Sequence, residues 1–337
     1  MMSDIPVDIG IYRYDNTRAL FDGTAGFEGV DATMHTADIV SDIFERTVRD
    51  REFGVAELGL TFYLRTLDLD EESPYLAIPV FPNRQFRHSA IYVNTASGIR
   101  TPQDLAGKTI GEFATYGHDA GVVAKGVLSD EYGVKPEQSR WVIGGFDWPM
   151  EWFDFVPRLH PAEVDVQPAP QGKALGQMLD DGEIDALISA DVPRAVLENS
   201  PNVARLFPDY VSLERDYYRR TGIRPIMHTV VVRKDLLAQH PGLARKVYQG
   251  FVDAKETAMA DYRHGRIFNH MGSAGMVPWF SELYDENRRL FGEDWWPYGV
   301  EKNRASVDAF LRWHFEQGLS KRRLTVEDIF VPELLTT

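Results

Sequence analysis

Arginine and histidine crowd into one short stretch of an otherwise acidic chain. Residues 81–89 read FPNRQFRHS and place Arg84, Arg87 and His88 between two apolar runs, YLAIPV (75–80) and SAIYVN (89–94). A guanidinium presents a planar fork that pairs bidentately with a carboxylate, so two of them could clamp a small dianion. His88, beside them, is of the type that exchanges protons near neutral pH. Solvated loop arginines and a histidine that merely anchors the loop are the plainer alternatives.

Two further histidines stand where chemistry could use them. His118 opens the stretch YGHDAG. Free N–H groups and the positive dipole end at a helix start favour an anion there, and Tyr116 and Gly117 would help to cap it. Alternatively Asp119 complements the dipole and His118 lies on the surface. His228 sits inside the apolar stretch PIMHTVV, where a buried neutral histidine is the rival reading. His314 falls on the apolar face of its helix and is read as core, and DWWPYG (294–299) as packing.

Alternating strand and helix patterns would position these side chains. VDIGIYRYD (7–15), VAELGL (55–60), YLAIPV and SAIYVN read as strands, and residues 38–53 as a helix with Ile39, Val40, Ile43, Phe44 and Val48 on one face. A short helix over 102–105, a strand at 108–110 and a helix within 115–134 that stops at Gly133 follow. Strands at 141–143, 164–167, 184–188 and 226–235 alternate with helices at 173–180 and 241–262. A last helix, 305–319, is expected to bury Val307, Phe310, Leu311 and Phe315. Such alternation predicts an α/β fold with mostly parallel sheets, whose ligands sit beyond the strand ends. FPNRQFRHS follows one such end.

Composition bounds the function. The chain has 337 residues, enough for two packed units, and 44% hydrophobic with 26% charged residues marks an ordinary globular protein. A net charge of −15 argues against nucleic acid or an anionic membrane as partner. Any anionic ligand must be caught by a local basic pocket. The absence of cysteine removes disulfides, thiolate metal sites and cysteine nucleophiles. The N-terminal residues lack a basic segment followed by an apolar core, and no apolar run reaches the ~18–20 residues of a membrane span, so a cytoplasmic location is expected. No metal, dinucleotide or G-x-S-x-G motif is present, so no cofactor is expected. A divalent ion held by distant residues such as His88, His118 and Glu57 stays open.

Several stretches together resemble the 4,5-dihydroxyphthalate decarboxylase family: AIPVFPNRQFRHSAIYVNTASGIRTPQDLAGKTIG (77–111), GEIDALIS (182–189), LFPDY (206–210) and DYYRRTGIRPIMHTVVVRKDL (216–236). YGHDAGVVAKGVLSDEYGV (116–134) looks like a variant within it. The resemblance spans roughly residues 7–255 and implies a two-lobed fold similar to type 2 periplasmic binding proteins, with the ligand in the cleft. Crossovers would fall near 93–96 and 227–230, giving lobe one as 1–94 plus 228–337 and lobe two as 95–227.

Residue type and position, read with the resemblance, suggest roles. The substrate would be a hydroxylated aromatic dicarboxylate, 4,5-dihydroxyphthalate, converted to 3,4-dihydroxybenzoate in phthalate degradation by a carboxy-lyase. His88, His118 and His228 would be catalytic. Arg84 and Arg87 would grip carboxylates, with Ser89, Tyr116 and Gly117 nearby. Asp15, Glu57 and Thr61 of the first lobe could accept hydroxyl protons, and Ser189 and Arg194 hold the matching place in the second. A small-anion binding protein that serves a transporter, or a lyase of the same fold acting on another aromatic acid, are the rival functions. A homo-oligomer is expected from the poorly matched C-terminal region.

Overall fold

The computed structural model describes residues 4–69, 72–268 and 274–337, which build two sheets joined by two chain crossings. The first sheet has the order β2-β1-β3-β11-β4, with β1 Ile5–Gly10, β2 Val30–His35, β3 Val55–Gly59, β4 Tyr75–Ile78 and β11 His228–Arg233. The second has the order β10-β5-β9-β6-β7-β8, with β5 Ile91–Asn94, β6 Thr109–Phe113, β7 Arg140–Gly144, β8 Asp165–Pro168, β9 Ala186–Ile188 and β10 Val203–Arg205. The expected parallel character holds within β2-β1-β3 and within β9-β6-β7-β8. The two crossing strands differ: β5 and β11 each run antiparallel to their neighbours.

A boundary at residue 94 would leave Ile91–Asn94 with the first sheet. That strand instead pairs with β9 and β10, so the chain has changed sheets by residue 91. The two crossings lie side by side. Arg84 bridges Ile226 in antiparallel fashion, and the Met227 N–H donates to Asn83 O at 3.0 Å. Arg84 is held in this single bridge, and the chain bends at Arg87 into the short turn His88–Ala90.

Several elements differ from expectation. Strand β2 was not foreseen, although VDATMH alternates apolar Val30, Ala32 and Met34 with polar residues; it lies at the sheet edge and is only partly buried. β3 ends at Gly59, and the chain enters a fully buried helix, Leu60–Thr66, without a loop. Burial on every side erases the amphipathic signal that marks a surface helix. The helices Tyr210–Thr221 and Phe280–Phe291 also went unforeseen.

In the helix Val40–Asp50, Ile43 and Phe44 are buried but Ile39 is exposed at its start. In Arg304–Glu316, Phe315 is exposed whereas Trp313 and His314 are buried. This helix packs on Asp119–Tyr132 of the second sheet, where Trp313 Nε1 donates to Asp130 Oδ2 at 2.8 Å. The C-terminal segment thus reaches beyond the first sheet. Among the described residues, no helix is long and apolar enough to cross a membrane.

Candidate active site

A cleft of about 380 Å³ opens between the two sheets, within the size range of small-molecule sites. Phe44 and Phe62 from one side and Phe113, Trp148 and Phe153 from the other supply aromatic walls suited to a planar ring. The helices Val40–Asp50 and Asp119–Tyr132 both begin here, and neither first turn carries a side-chain cap. Their free N–H groups thus face the cleft from opposite walls.

Each wall also carries a histidine backed by a buried carboxylate. His228, the first residue of β11, places Nδ1 2.6 Å from Oε1 of Glu57 on β3. Glu57 also accepts the Tyr12 N–H at 2.9 Å and the Tyr14 hydroxyl at 2.7 Å. Burial and the Glu57 charge push the Tyr14 phenol well up, so it stays a donor. Opposite, His118 Nδ1 lies 3.2 Å from Oε1 of Glu112 on β6, which also accepts the Gly117 N–H at 2.9 Å. Lys125 Nζ binds Glu112 Oε2 at 2.6 Å, deep beneath the helix. Burial works against the Glu112 charge, but Lys125 and His118 more than offset it and hold the carboxyl below its usual range. Burial brings Lys125 down to about 8.

A carboxylate on Nδ1 favours the tautomer with its proton there and leaves Nε2 without one. His118 Nε2 is buried and has no partner. Asp119 lies near both rings, and its Oδ1 accepts the Thr61 N–H at 2.8 Å. Burial raises the Asp119 pKa, against the pull of His228, His118 and Arg65.

The turn that delivers His118 is held from below. Arg65, fully buried on the Leu60–Thr66 helix, donates to the carbonyls of Tyr116 at 2.7 Å and Gly117 at 2.9 Å. Burial lowers its pKa to about 10, which leaves it charged. Gly117 adopts φ +75°, and a Cβ there would strike Leu319 and come within 2.8 Å of Arg65 Nη2. Only glycine fits.

A curated 4,5-dihydroxyphthalate decarboxylase from Comamonas testosteroni is 36% identical over 334 residues, covering 99% of this chain and 98% of that one. The chain belongs to the 4,5-dihydroxyphthalate decarboxylase family. A second 4,5-dihydroxyphthalate decarboxylase, from Pseudomonas putida, is 34% identical over 219 residues, or 65% of this chain and 83% of that one. No protein-family model matches. Among solved structures, the aliphatic sulphonate binding protein SsuA of Escherichia coli aligns over 98% of this chain and 92% of its own with TM-score 0.54 and 12% identity. SsuA from Xanthomonas axonopodis pv. citri aligns over 98% and 99% with TM-score 0.53 and 11% identity. These likenesses show the fold: this decarboxylase-family chain has the two-lobed architecture of periplasmic binding proteins.

In this family member, the structure brings together only some of the residues singled out from sequence. Arg87, His118 and His228 line the cleft, with Glu57 one bond behind. Arg87 donates to Ala190 O at 3.0 Å, and its Nε and Nη2 meet Met227 Sδ. Burial lowers its pKa to about 10, so it remains a cation.

Arg84 does not reach the cleft. Asn83, Gln85 and Arg87 line the cleft, whereas Arg84 turns the other way, onto Pro297 O at 2.8 Å and Asn303 Oδ1. His88 packs between Phe207 and Tyr217, and burial lowers its pKa to about 4. The set His88, His118 and Glu57 is therefore not assembled, and among the described residues no group of three ligand side chains could hold a metal ion.

The remaining candidates stand behind or outside the cleft. Thr61 Oγ1 donates to Gly117 O at 2.8 Å, and Tyr116 is buried under Lys125. The Ser89 N–H donates to Glu214 at 3.1 Å, away from the cleft. Buried Ser189 accepts the Asp191 N–H, and it is Ala190 and Asp191 that reach the cleft. Arg194 is exposed, and Asp15 accepts the Tyr262 hydroxyl at another cavity. His314 is core, with Nε2 3.1 Å from Thr61 Oγ1. Glu112, Lys125, Arg65, Tyr14 and Asp119 were not foreseen. A buried lysine and arginine in apolar company were the available signals, because such charges require partners.

Proposed function

We propose that the chain decarboxylates 4,5-dihydroxyphthalate to 3,4-dihydroxybenzoate, acting as a carboxy-lyase on a hydroxylated aromatic dicarboxylate without an organic cofactor. The observation that carries this reading is the pair of carboxylate-backed histidines, Glu57–His228 and Glu112–His118, on opposite walls of one aromatic cleft. Kinship with decarboxylases over nearly the whole chain names the substrate class.

The chemistry sets the requirements. Loss of carbon dioxide directly from an aryl carboxylate would leave an unstabilised aryl anion. In 4,5-dihydroxyphthalate each carboxylate has a hydroxyl para to it. A base removes that phenolic proton while an acid protonates the ring carbon bearing the carboxylate, which converts the ring to a dienone. The C–C bond then breaks, its electrons restore the aromatic ring as a phenolate, and carbon dioxide leaves. The phenolate regains its proton from the protonated base.

The two histidines supply acid and base. Arg87 and the uncapped helix starts grip the carboxylates, and the Tyr14 hydroxyl and Glu57 steady His228. Proton transfer by positioned groups gives ~10²–10⁴-fold. Fixed dipoles in a dry cleft must supply the rest by stabilising the dienolate.

Incubating EDTA-treated protein with 4,5-dihydroxyphthalate tests this. Release of carbon dioxide with matching 3,4-dihydroxybenzoate is expected. Saturable binding without turnover, with or without added divalent metal, would overturn it and leave a binding protein.

A further inference from the structure

Lys125 has no place in the chemistry above, yet it is almost wholly buried, at 2% exposure. Its Nζ sits 3.6 Å from the Tyr116 ring centroid and 4.7 Å from that of Trp141, beneath the helix and outside the cleft. Enclosing an ammonium in aromatic surroundings is costly unless it is paired. Its pair is Glu112, the carboxylate that holds His118.

The opposite dyad is built differently. Glu57 is equally buried, but its other donors, the Tyr12 N–H and the Tyr14 hydroxyl, carry no charge. Among the described residues no lysine or arginine pairs with it, and His228 is its one ion-pair partner. Two histidine–carboxylate pairs that look alike thus differ in charge balance. Glu112 is already neutralised by Lys125; Glu57 is neutralised only when His228 is protonated.

We infer that Lys125 is a positioning residue that divides the labour between the two histidines. By discharging Glu112 it leaves His118 neutral, with a bare Nε2 that takes the phenolic proton, while Glu57 keeps His228 protonated as donor to the ring carbon. The balance closes. His118 gains one proton and returns it to the product phenolate. His228 loses one to carbon and recovers it from solvent, so one proton is consumed for each carbon dioxide released. This inference rests on the acid–base reading given above.

The surrounding groups act in the same sense. His118 is faced by Glu112 from β6, by Asp119 and Lys125 of its own helix, by Arg65 from the Leu60–Thr66 helix, by Tyr116 before it and by His228 across the cleft. Lys125 and Arg65 both oppose its protonation, as does its place at a helix N-terminus. His228 is faced by Glu57 from β3, Tyr14 after β1 and Asp119 opposite. Asp119 acts on both rings, and more strongly on His228 than on His118.

The test reads protonation directly and needs no turnover. In ¹⁵N-histidine NMR of the wild-type protein at pH 7, with signals assigned through His118→Gln and His228→Gln, His118 should be neutral and His228 protonated. The reverse assignment would overturn the inference, even if Lys125 variants fail to fold. In Lys125→Met, the His118 titration midpoint should rise by at least one pH unit, a tenfold change in proton affinity. In Glu112→Gln/Lys125→Met it should return to the wild-type position. With 4,5-dihydroxyphthalate, the acidic limb of kcat/KM should move up with the single variant and back with the double. A fall of equal size at every pH, with an unmoved His118 midpoint, would make Lys125 purely structural. If no turnover is seen for wild type, the decarboxylase reading fails while the NMR still judges the division between the histidines.

Discussion

The Asp119 carboxylate, on a helix of the second lobe, accepts the Thr61 N–H of the first lobe at 2.8 Å. Asp119 Oδ2 occupies the space that a side chain on Gly59 would need. The strand-to-helix junction at Gly59 is therefore shaped around a residue 60 positions away in the chain. Thr61 Oγ1 adds a bond to Gly117 O, and Arg65 adds three to the carbonyls of 116, 117 and 157. Together these bonds set His118 against the same cleft that His228 faces.

Replacing Gly59 by alanine should break this arrangement. The new methyl would strike Asp119 Oδ2 and come within 2.6 Å of the Phe62 ring. Overpacking of this kind costs ~1–3 kcal/mol. Urea denaturation should show that loss, and kcat should fall with it. A variant of wild-type stability and activity would mean that the junction relaxes freely.

The two arginines of the basic turn should separate. Arg87→Ala is expected to raise KM at least tenfold, or about 1.4 kcal/mol, because Arg87 faces the cleft. Arg84→Ala should leave KM near wild type and lower stability by ~1–3 kcal/mol, since it strips donors from partly buried carbonyls and from buried Asn303. Steady-state kinetics beside thermal melts distinguish the two. Equal KM effects from both variants would contradict the opposite facing of the two side chains.

The three histidines should separate as well. His118→Gln and His228→Gln should each lower kcat by ~10²–10⁴-fold with substrate binding retained. His88→Leu should leave kcat within a few-fold, because His88 lies between Phe207 and Tyr217. Loss of kcat in the His88 variant, with the other two active, would reverse the assignment.

Acid should destabilise the fold through His88. Burial lowers its pKa to about 4 in the folded protein, against ~6.5 in the unfolded chain. Between these values the unfolded chain binds more protons, so stability falls as pH drops from about 6.5 and levels off below about 4. The depth of the effect is about 3 kcal/mol. Burial lowers His314 too, which adds to the same trend. Urea midpoints at pH 7.5 and 5 should differ less in His88→Leu than in wild type.

Much of the frame was legible in the chain. Gly133 stops its helix at φ +68° as expected, and the apolar run 226–235 read as a strand contains β11. Local patterns carry that information, because helix stops and apolar runs follow from the residue and its neighbours. Leu60–Thr66 escaped because burial all round hides its pattern. Edge strand β2 was missed although its residues alternate apolar and polar.

The site divides in the same way. Residue types alone pointed to a basic grip and histidine chemistry around 84–88, 118 and 228. Tertiary structure decided which of them meet. Whether Arg84 or Arg87 faces the cleft depends on how 83–87 is seated against 224–228, which is a contact between distant segments. Whether a histidine is backed by a neutralised or a bare carboxylate depends on contacts as distant as Glu57 with His228. Sequence determines which groups can carry charge. Folding determines which charges are left to balance one another, because that balance is set by distance and burial, and neither is written in the spacing of residues along the chain.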